Sequence, residues 1–134
     1  MALFHITRKA DLGLSLLSML AKNKSGRLSL TQMEKMGMPK SFMGRIANDL
    51  VSAGILNSRE GRGGGYRLNY PAKEIQVMDV LFAIEGEVLP VQCLKKPGSC
   101  NLERDCQQRG FMHNFANKVG EMLSSYTLAD LIKF

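Results

Sequence analysis

The chain has no Trp, four Pro and only three Cys in 134 residues. The missing Trp decides little. The odd, small cysteine count, with no export signal, excludes a disulfide-stapled secreted scaffold. No pair is spaced C-x-x-C, which argues against a zinc site built from close ligand pairs. The apolar stretch Leu12–Ala21 is too short to cross a bilayer. Ser15 and Ser18 interrupt it, Lys22-Asn23-Lys24 follows it, and no small-residue cleavage site appears, so the sequence predicts a cytoplasmic protein without a membrane partner. Gly63-Gly64-Gly65 is not followed by Gly-Lys-Ser/Thr, and a strand pattern comes next, so a nucleotide-binding phosphate loop is a weak reading. There is no Cys₄ set and no catalytic His–carboxylate constellation, which speaks against an enzyme or a small iron–sulfur redox carrier. Internal repeats and low-complexity tracts are also missing.

What is present is an ordinary globular composition, 45% hydrophobic and 22% charged, enough for one domain with an appendage. The nine Met read as core gap-fillers. Charge is unevenly placed. Residues 1–71 hold eleven Lys/Arg against four Asp/Glu, a net of +7, and residues 72–134 hold seven against eight, a net of −1. A basic half joined to a near-neutral half suits a polyanion-binding module joined to a module with another task. A solvated basic face explains the charge alone equally well.

Leu12, Leu16, Met19 and Leu20 predict a first helix over 7–22, ended by the turn Asn23-Lys24-Ser25-Gly26. Ser29-Leu30-Thr31-Gln32 has the form of a capping box and opens a short second helix ending near Gly37. Pro39 then starts a third helix running to about Ala53, with Phe42, Ile46, Leu50 and Val51 inward and Gly54 as its stop. Ile55–Tyr70 reads as a hairpin, Ile55-Leu56 facing Tyr66, Leu68 and Tyr70 across a long flexible glycine-rich tip. Val77, Val80, Leu81 and Ile84 predict a fourth helix over 75–85. Residues 87–106 have no periodicity and contain all three cysteines. Phe111, Phe115, Val119, Met122 and Tyr126 form an apolar stripe on a long last helix.

Three helices followed by a hairpin make a winged helix-turn-helix pattern, with Gly37-Met38-Pro39 as the turn. Its fold class is mainly α with a small β-hairpin, extended by a long C-terminal helix. Such a fold would set the third helix in the major groove of double-stranded DNA, with Lys40, Ser41, Arg45 and Asn48 outward. Arg59 and Arg62, with Gly63, Gly64 and Tyr66 on the wing, would clamp phosphate or enter a narrow minor groove, and Arg8 adds charge at the first helix. Each polar side chain alone is only what solubility requires. The ordered combination carries the inference.

Cys93, Cys100 and Cys106 lie in one segment. Iron–sulfur clusters accept thiolates from such loops. A metal-free thiol switch, or three unrelated cysteines, fits the spacing equally.

At this point the chain resembles the Rrf2 family of bacterial transcription regulators over nearly its whole length, from about Leu3 to Leu131. The likeness rests on Ala10-Asp11-Leu12-Gly13-Leu14, on Ser41-Phe42-Met43-Gly44-Arg45-Ile46-Ala47-Asn48-Asp49-Leu50 and on Arg62-Gly63-Gly64-Gly65-Tyr66-Arg67-Leu68. It continues through Val77-Met78-Asp79-Val80, Ile84-Glu85-Gly86, the three cysteines and Tyr126-Thr127-Leu128-Ala129-Asp130-Leu131. The resemblance implies a homodimer formed through the last helix and a palindromic operator. It also implies a cluster on Cys93, Cys100 and Cys106 that controls DNA affinity. Family members that regulate iron–sulfur assembly hold a two-iron cluster with a His three residues after the last Cys; here that residue is Arg109. The nitric-oxide-sensing repressors of the family are the better likeness. They hold a four-iron cluster completed by a first-helix Asp from the other chain, which here implies Asp11 of the partner subunit. Otherwise Asp11 is a first-turn carboxylate favoured by the helix dipole, with His5 and His113 as spare ligands. The expected organisation is a DNA-binding region over 1–72, a connecting helix and sensor loop over 73–106, and a dimerisation helix with a tail over 107–134.

Overall fold

The computed structural model describes residues 5–23 and 26–133. Lys24 and Ser25 of the expected first turn, and Leu3 at the start of the resemblance, lie outside them. Helix α1 (Arg8–Lys22) starts at Thr7, whose hydroxyl accepts the Ala10 N–H, and buries Leu12, Leu16, Leu17 and Leu20. Helix α2 (Leu30–Lys35) opens with the expected box: the Ser29 hydroxyl accepts from Gln32 N and the Gln32 amide oxygen accepts from Ser29 N. Helix α3 (Lys40–Ser52) starts after Pro39 and buries Met43, Ile46, Ala47 and Leu50. Phe42 and Val51, expected inside, pack only at the margin of this core. The helical period swings the buried stripe toward Met43 and Ala47 instead.

Strands β1 (Leu56–Arg59) and β2 (Gly65–Leu68) pair antiparallel, with Leu56 opposite Leu68 and Arg59 opposite Gly65. Tyr70, expected on the second strand, lies beyond it. Below the strands, the Asn69 side chain takes over the pairing, donating to the Gly54 and Leu56 carbonyls and accepting from Asn57. A 3₁₀ turn (Ala72–Glu74) leads to α4 (Val77–Glu85), whose Val77, Val80, Leu81 and Ile84 are buried. Helix α1 packs against α3, α4 and a last helix, α7 (Leu128–Lys133), around one core.

The C-terminal part departs from expectation. The long helix α6 (Arg109–Ser125) buries no residue; Phe111, Phe115 and Met122 are exposed. Tyr126 is not on its stripe. It follows the helix in extended geometry, and its carbonyl accepts the Val77 N–H. Leu128 N–H donates to the Ile75 carbonyl, which completes a bridge, and Thr127 with Asp130 caps α7 reciprocally. Leu128 is then 1% exposed. The expected tail is thus a helix docked onto the N-terminal half, because the bridge satisfies the backbone and Leu128 fills the core.

Candidate nucleic-acid interface and cysteine segment

The two faces of α3 separate cleanly. Lys40, Ser41, Arg45 and Asn48 are exposed opposite the buried Met43, Ile46, Ala47 and Leu50. Pro39 makes no side-chain cap, so the first N–H groups of α3 stay open at the end that carries Lys40 and Ser41. Two long cationic side chains, two short polar ones and open backbone amides on one helix surface can hydrogen-bond phosphates and base edges.

The wing is built, not loose. Leu28 and Tyr66 exchange both backbone hydrogen bonds, at 3.0 and 2.8 Å, so a residue before α2 ties onto β2 through an isolated bridge. The Arg27 guanidinium donates to the Gly65 carbonyl at 2.9 Å. Gly65 has φ +116°, and a Cβ there would lie 2.5 Å from the Leu28 carbonyl oxygen. Gly64 N–H closes a turn onto the Gly61 carbonyl. Arg59, Arg62 and Gly63 are exposed beyond this anchor, and Gly64 and Tyr66 are half-buried beneath them. Sequence reasoning missed Arg27, whose role depends on a contact 38 residues away. A signal was nevertheless present, since Leu28 precedes the capping box as a lone apolar residue.

Residues 87–106 are not structureless. Helix α5 (Gln92–Lys95) carries Cys93, and a 3₁₀ turn (Glu103–Asp105) delivers Cys106 to the start of α6. Cys93 and Cys106 are half-buried, Cys100 is exposed, and all three are free. Glu103 organises the segment: its carboxylate accepts the Arg109 guanidinium and the Gly98 N–H. Arg109, then the Gly98 bond, hold Glu103 below the usual carboxylate range. Glu103 in turn raises Arg109. The residue three positions after the last Cys is therefore an arginine locked in an ion pair.

Three free thiols inside one short segment suit an iron–sulfur cluster in kind. They are not gathered: among the described residues no three His, Cys, Asp or Glu side chains converge as a metal site. Asp11 is exposed in the first turn of α1 and pairs with Arg8 at 3.3 Å, itself exposed. His5 and His113 are exposed and belong to no such group.

Residues 6–133 match the Rrf2 family, described as an iron-dependent transcriptional regulator. The chain belongs to that family. It is 30% identical over 100 residues to the protein rrf2 of Nitratidesulfovibrio vulgaris, covering 75% of this chain and 67% of the relative. It is also 29% identical over 100 residues to the transcriptional regulator IscR of Vibrio campbellii, covering 75% and 59%. The alignments thus leave a third or more of these relatives' lengths unmatched. Among solved structures it is similar to CymR, the global cysteine regulator of Bacillus subtilis, with a TM-score of 0.73, 25% identity and 98% of each chain covered. The mainly helical winged-helix fold with one antiparallel hairpin is shared with these regulators. No helix among the described residues is long and apolar enough to cross a membrane.

Proposed function

We propose that this chain is a dimeric transcription regulator that binds a palindromic operator in double-stranded DNA, as a repressor, and whose affinity is set by the state of Cys93, Cys100 and Cys106. The observation that carries the proposal is the exposed polar face of α3 beside an anchored glycine wing, on the half of the chain with a net charge of +7. Lys40, Ser41, Arg45 and Asn48 would read the major groove, and Arg59 and Arg62 would hold the flanking backbone or minor groove. Arg8 supplies a further phosphate contact. The exposed Phe111–Met122 face of α6 is the dimer seam, because an apolar stripe of this kind is stable only when covered.

Cys93, Cys100 and Cys106, with Asp11 of the partner subunit, would hold an iron–sulfur cluster, four-iron in preference to two-iron. When bound, that group supplies a centre that nitric oxide, iron loss or oxidation can dismantle. Arg109 in place of an imidazole, and an exposed Asp11 carboxylate held only by a surface pair with Arg8, favour this set over the two-iron pattern. A metal-free thiol switch is the second reading. It is favoured by the ungathered thiols.

Anaerobic purification followed by iron, sulfide and visible-absorbance measurement separates the two. The cluster reading predicts matched iron and sulfide, and loss of absorbance in Cys93→Ala, Cys100→Ala and Cys106→Ala. Colourless protein whose operator affinity still changes on thiol oxidation selects the switch. Affinity that is indifferent to salt would refute the DNA-binding reading itself, since Lys/Arg contacts release counterions.

A further inference from the structure

The proposal above leaves open how a change at the cysteines reaches α3. The N-terminal turns of α1 lie between the two. Lys9 Nζ donates to the Ile84 carbonyl at 3.1 Å and pairs with the Asp49 carboxylate at 2.9 Å. Ile84 is the penultimate residue of α4, three positions before the segment that carries the cysteines, and its carbonyl belongs to the last turn, where no helical N–H is left to serve it. Asp49 lies on α3, next to Asn48 on the outward face.

One ammonium therefore caps the root of the cysteine segment and grips the helix proposed to read DNA. One turn further along the same face of α1, a Cβ on Gly13 would lie 2.2 Å from Ile84 Cδ1 and 3.4 Å from Ile46 Cγ2. The glycine lets α1, α3 and α4 meet at a single point. Just ahead of α1, the hydroxyl of its N-cap Thr7 donates to Glu85. Thr7, Lys9 and Gly13 thus engage the last two residues of α4, and Lys9 and Gly13 also meet α3.

We propose that Lys9 is a positioning residue that couples the 87–106 segment to α3, so that displacement of the α4 terminus is felt as a change in the seating of α3. The inference rests on the proposed roles of the two elements, but the coupling is physical and can be read without DNA. A packed node with no space for a Cβ transmits displacement, because close-packed interiors shift between discrete arrangements and do not deform gradually.

The test is hydrogen exchange across α3 before and after alkylation of the thiols with iodoacetamide, in the full-length protein. In the wild type, alkylation should speed α3 exchange about fivefold or more, the lower end of ordinary coupling between sites. Lys9→Met keeps the aliphatic stem and should abolish the response, and Lys9→Arg should restore it. Asp49→Asn leaves the Ile84 cap intact and should also abolish the response, which preserves the test if Lys9→Met folds poorly. An undiminished response in Lys9→Met and Asp49→Asn, or no response in wild-type α3, overturns the coupling. If α3 responds through Lys9 while operator affinity does not change, the coupling stands and the sensor role of the cysteines fails.

Discussion

The anchored wing makes Gly65 the position where one methyl group should do the most damage. In Gly65→Ala the new Cβ meets the Leu28 carbonyl at 2.5 Å, with its carbon at 2.6 Å and Ser29 N at 2.8 Å, all backbone atoms that cannot swing aside. The φ of +116° adds strain of about 1–3 kcal/mol for a non-glycine residue. Relieving the clash breaks the paired Leu28–Tyr66 hydrogen bonds, each contributing about 0.5–1.5 kcal/mol. The combined cost is about 2–6 kcal/mol. The cheapest relief is to detach the wing and leave the core intact, so the loss should appear in DNA affinity more than in the melting temperature. Gly63→Ala is the control: φ is +68° but no atom lies within 4 Å of its Cβ, so only strain of about 1 kcal/mol remains. Operator titration by fluorescence anisotropy at fixed salt, with thermal unfolding alongside, should show Gly65→Ala about tenfold or more weaker than Gly63→Ala. Equal affinities for the two variants would refute the anchored wing and restore a merely flexible tip.

Leu128→Ala should destabilise the protein by about 2–5 kcal/mol, because it empties a fully enclosed site, whereas Leu131→Ala, 37% exposed, should cost far less; denaturant titration of both variants checks whether α7 belongs to the core. Phe115→Asp places a charge on the α6 stripe and should convert dimer to monomer in sedimentation; an unchanged dimer would move the seam elsewhere. Glu103 has a lowered pKa in the folded chain, so its contribution is complete above the ordinary carboxylate range and is lost as pH falls from there through the lowered folded-state value. The protection of residues 98–109 against hydrogen exchange, taken relative to the intrinsic rate at each pH, should therefore fall on acidification, and Glu103→Gln should remove that dependence. Arg45→Ala should relax base preference, while Arg62→Ala should weaken all sequences and flatten the salt dependence, both read by gel shift.

Helical periodicity and the Ser29–Gln32 box made α1 to α4 legible in the sequence, because those elements are decided by neighbours within one or two turns. The outward set Lys40, Ser41, Arg45 and Asn48 followed from the same period. The wing was recognisable by its glycines but not as a rigid element, since its anchors at Arg27 and Leu28 lie far upstream in the chain. Tyr126 was misplaced because its spacing continues the α6 stripe; the competing signal was Thr127-x-x-Asp130, a second capping box that restarts a helix and brings Leu128 under α1. The cysteines were legible as a group, but their surroundings were not. The pairing of Glu103 with Arg109 depends on the 3₁₀ turn between them, which carries no periodic pattern. Lys9 reads in sequence as one more basic residue, and its two partners lie 40 and 75 positions away.

Control of DNA affinity by the state of the cysteines is decided by comparing operator dissociation constants of anaerobically purified wild-type protein and a Cys93→Ser/Cys100→Ser/Cys106→Ser variant, on a duplex selected from random sequence by the wild type. Cysteine control requires that the two constants differ by about tenfold or more, while both proteins keep the same fold by circular dichroism and the same salt dependence. Equal constants would contradict it and leave a DNA-binding protein whose cysteines sense nothing.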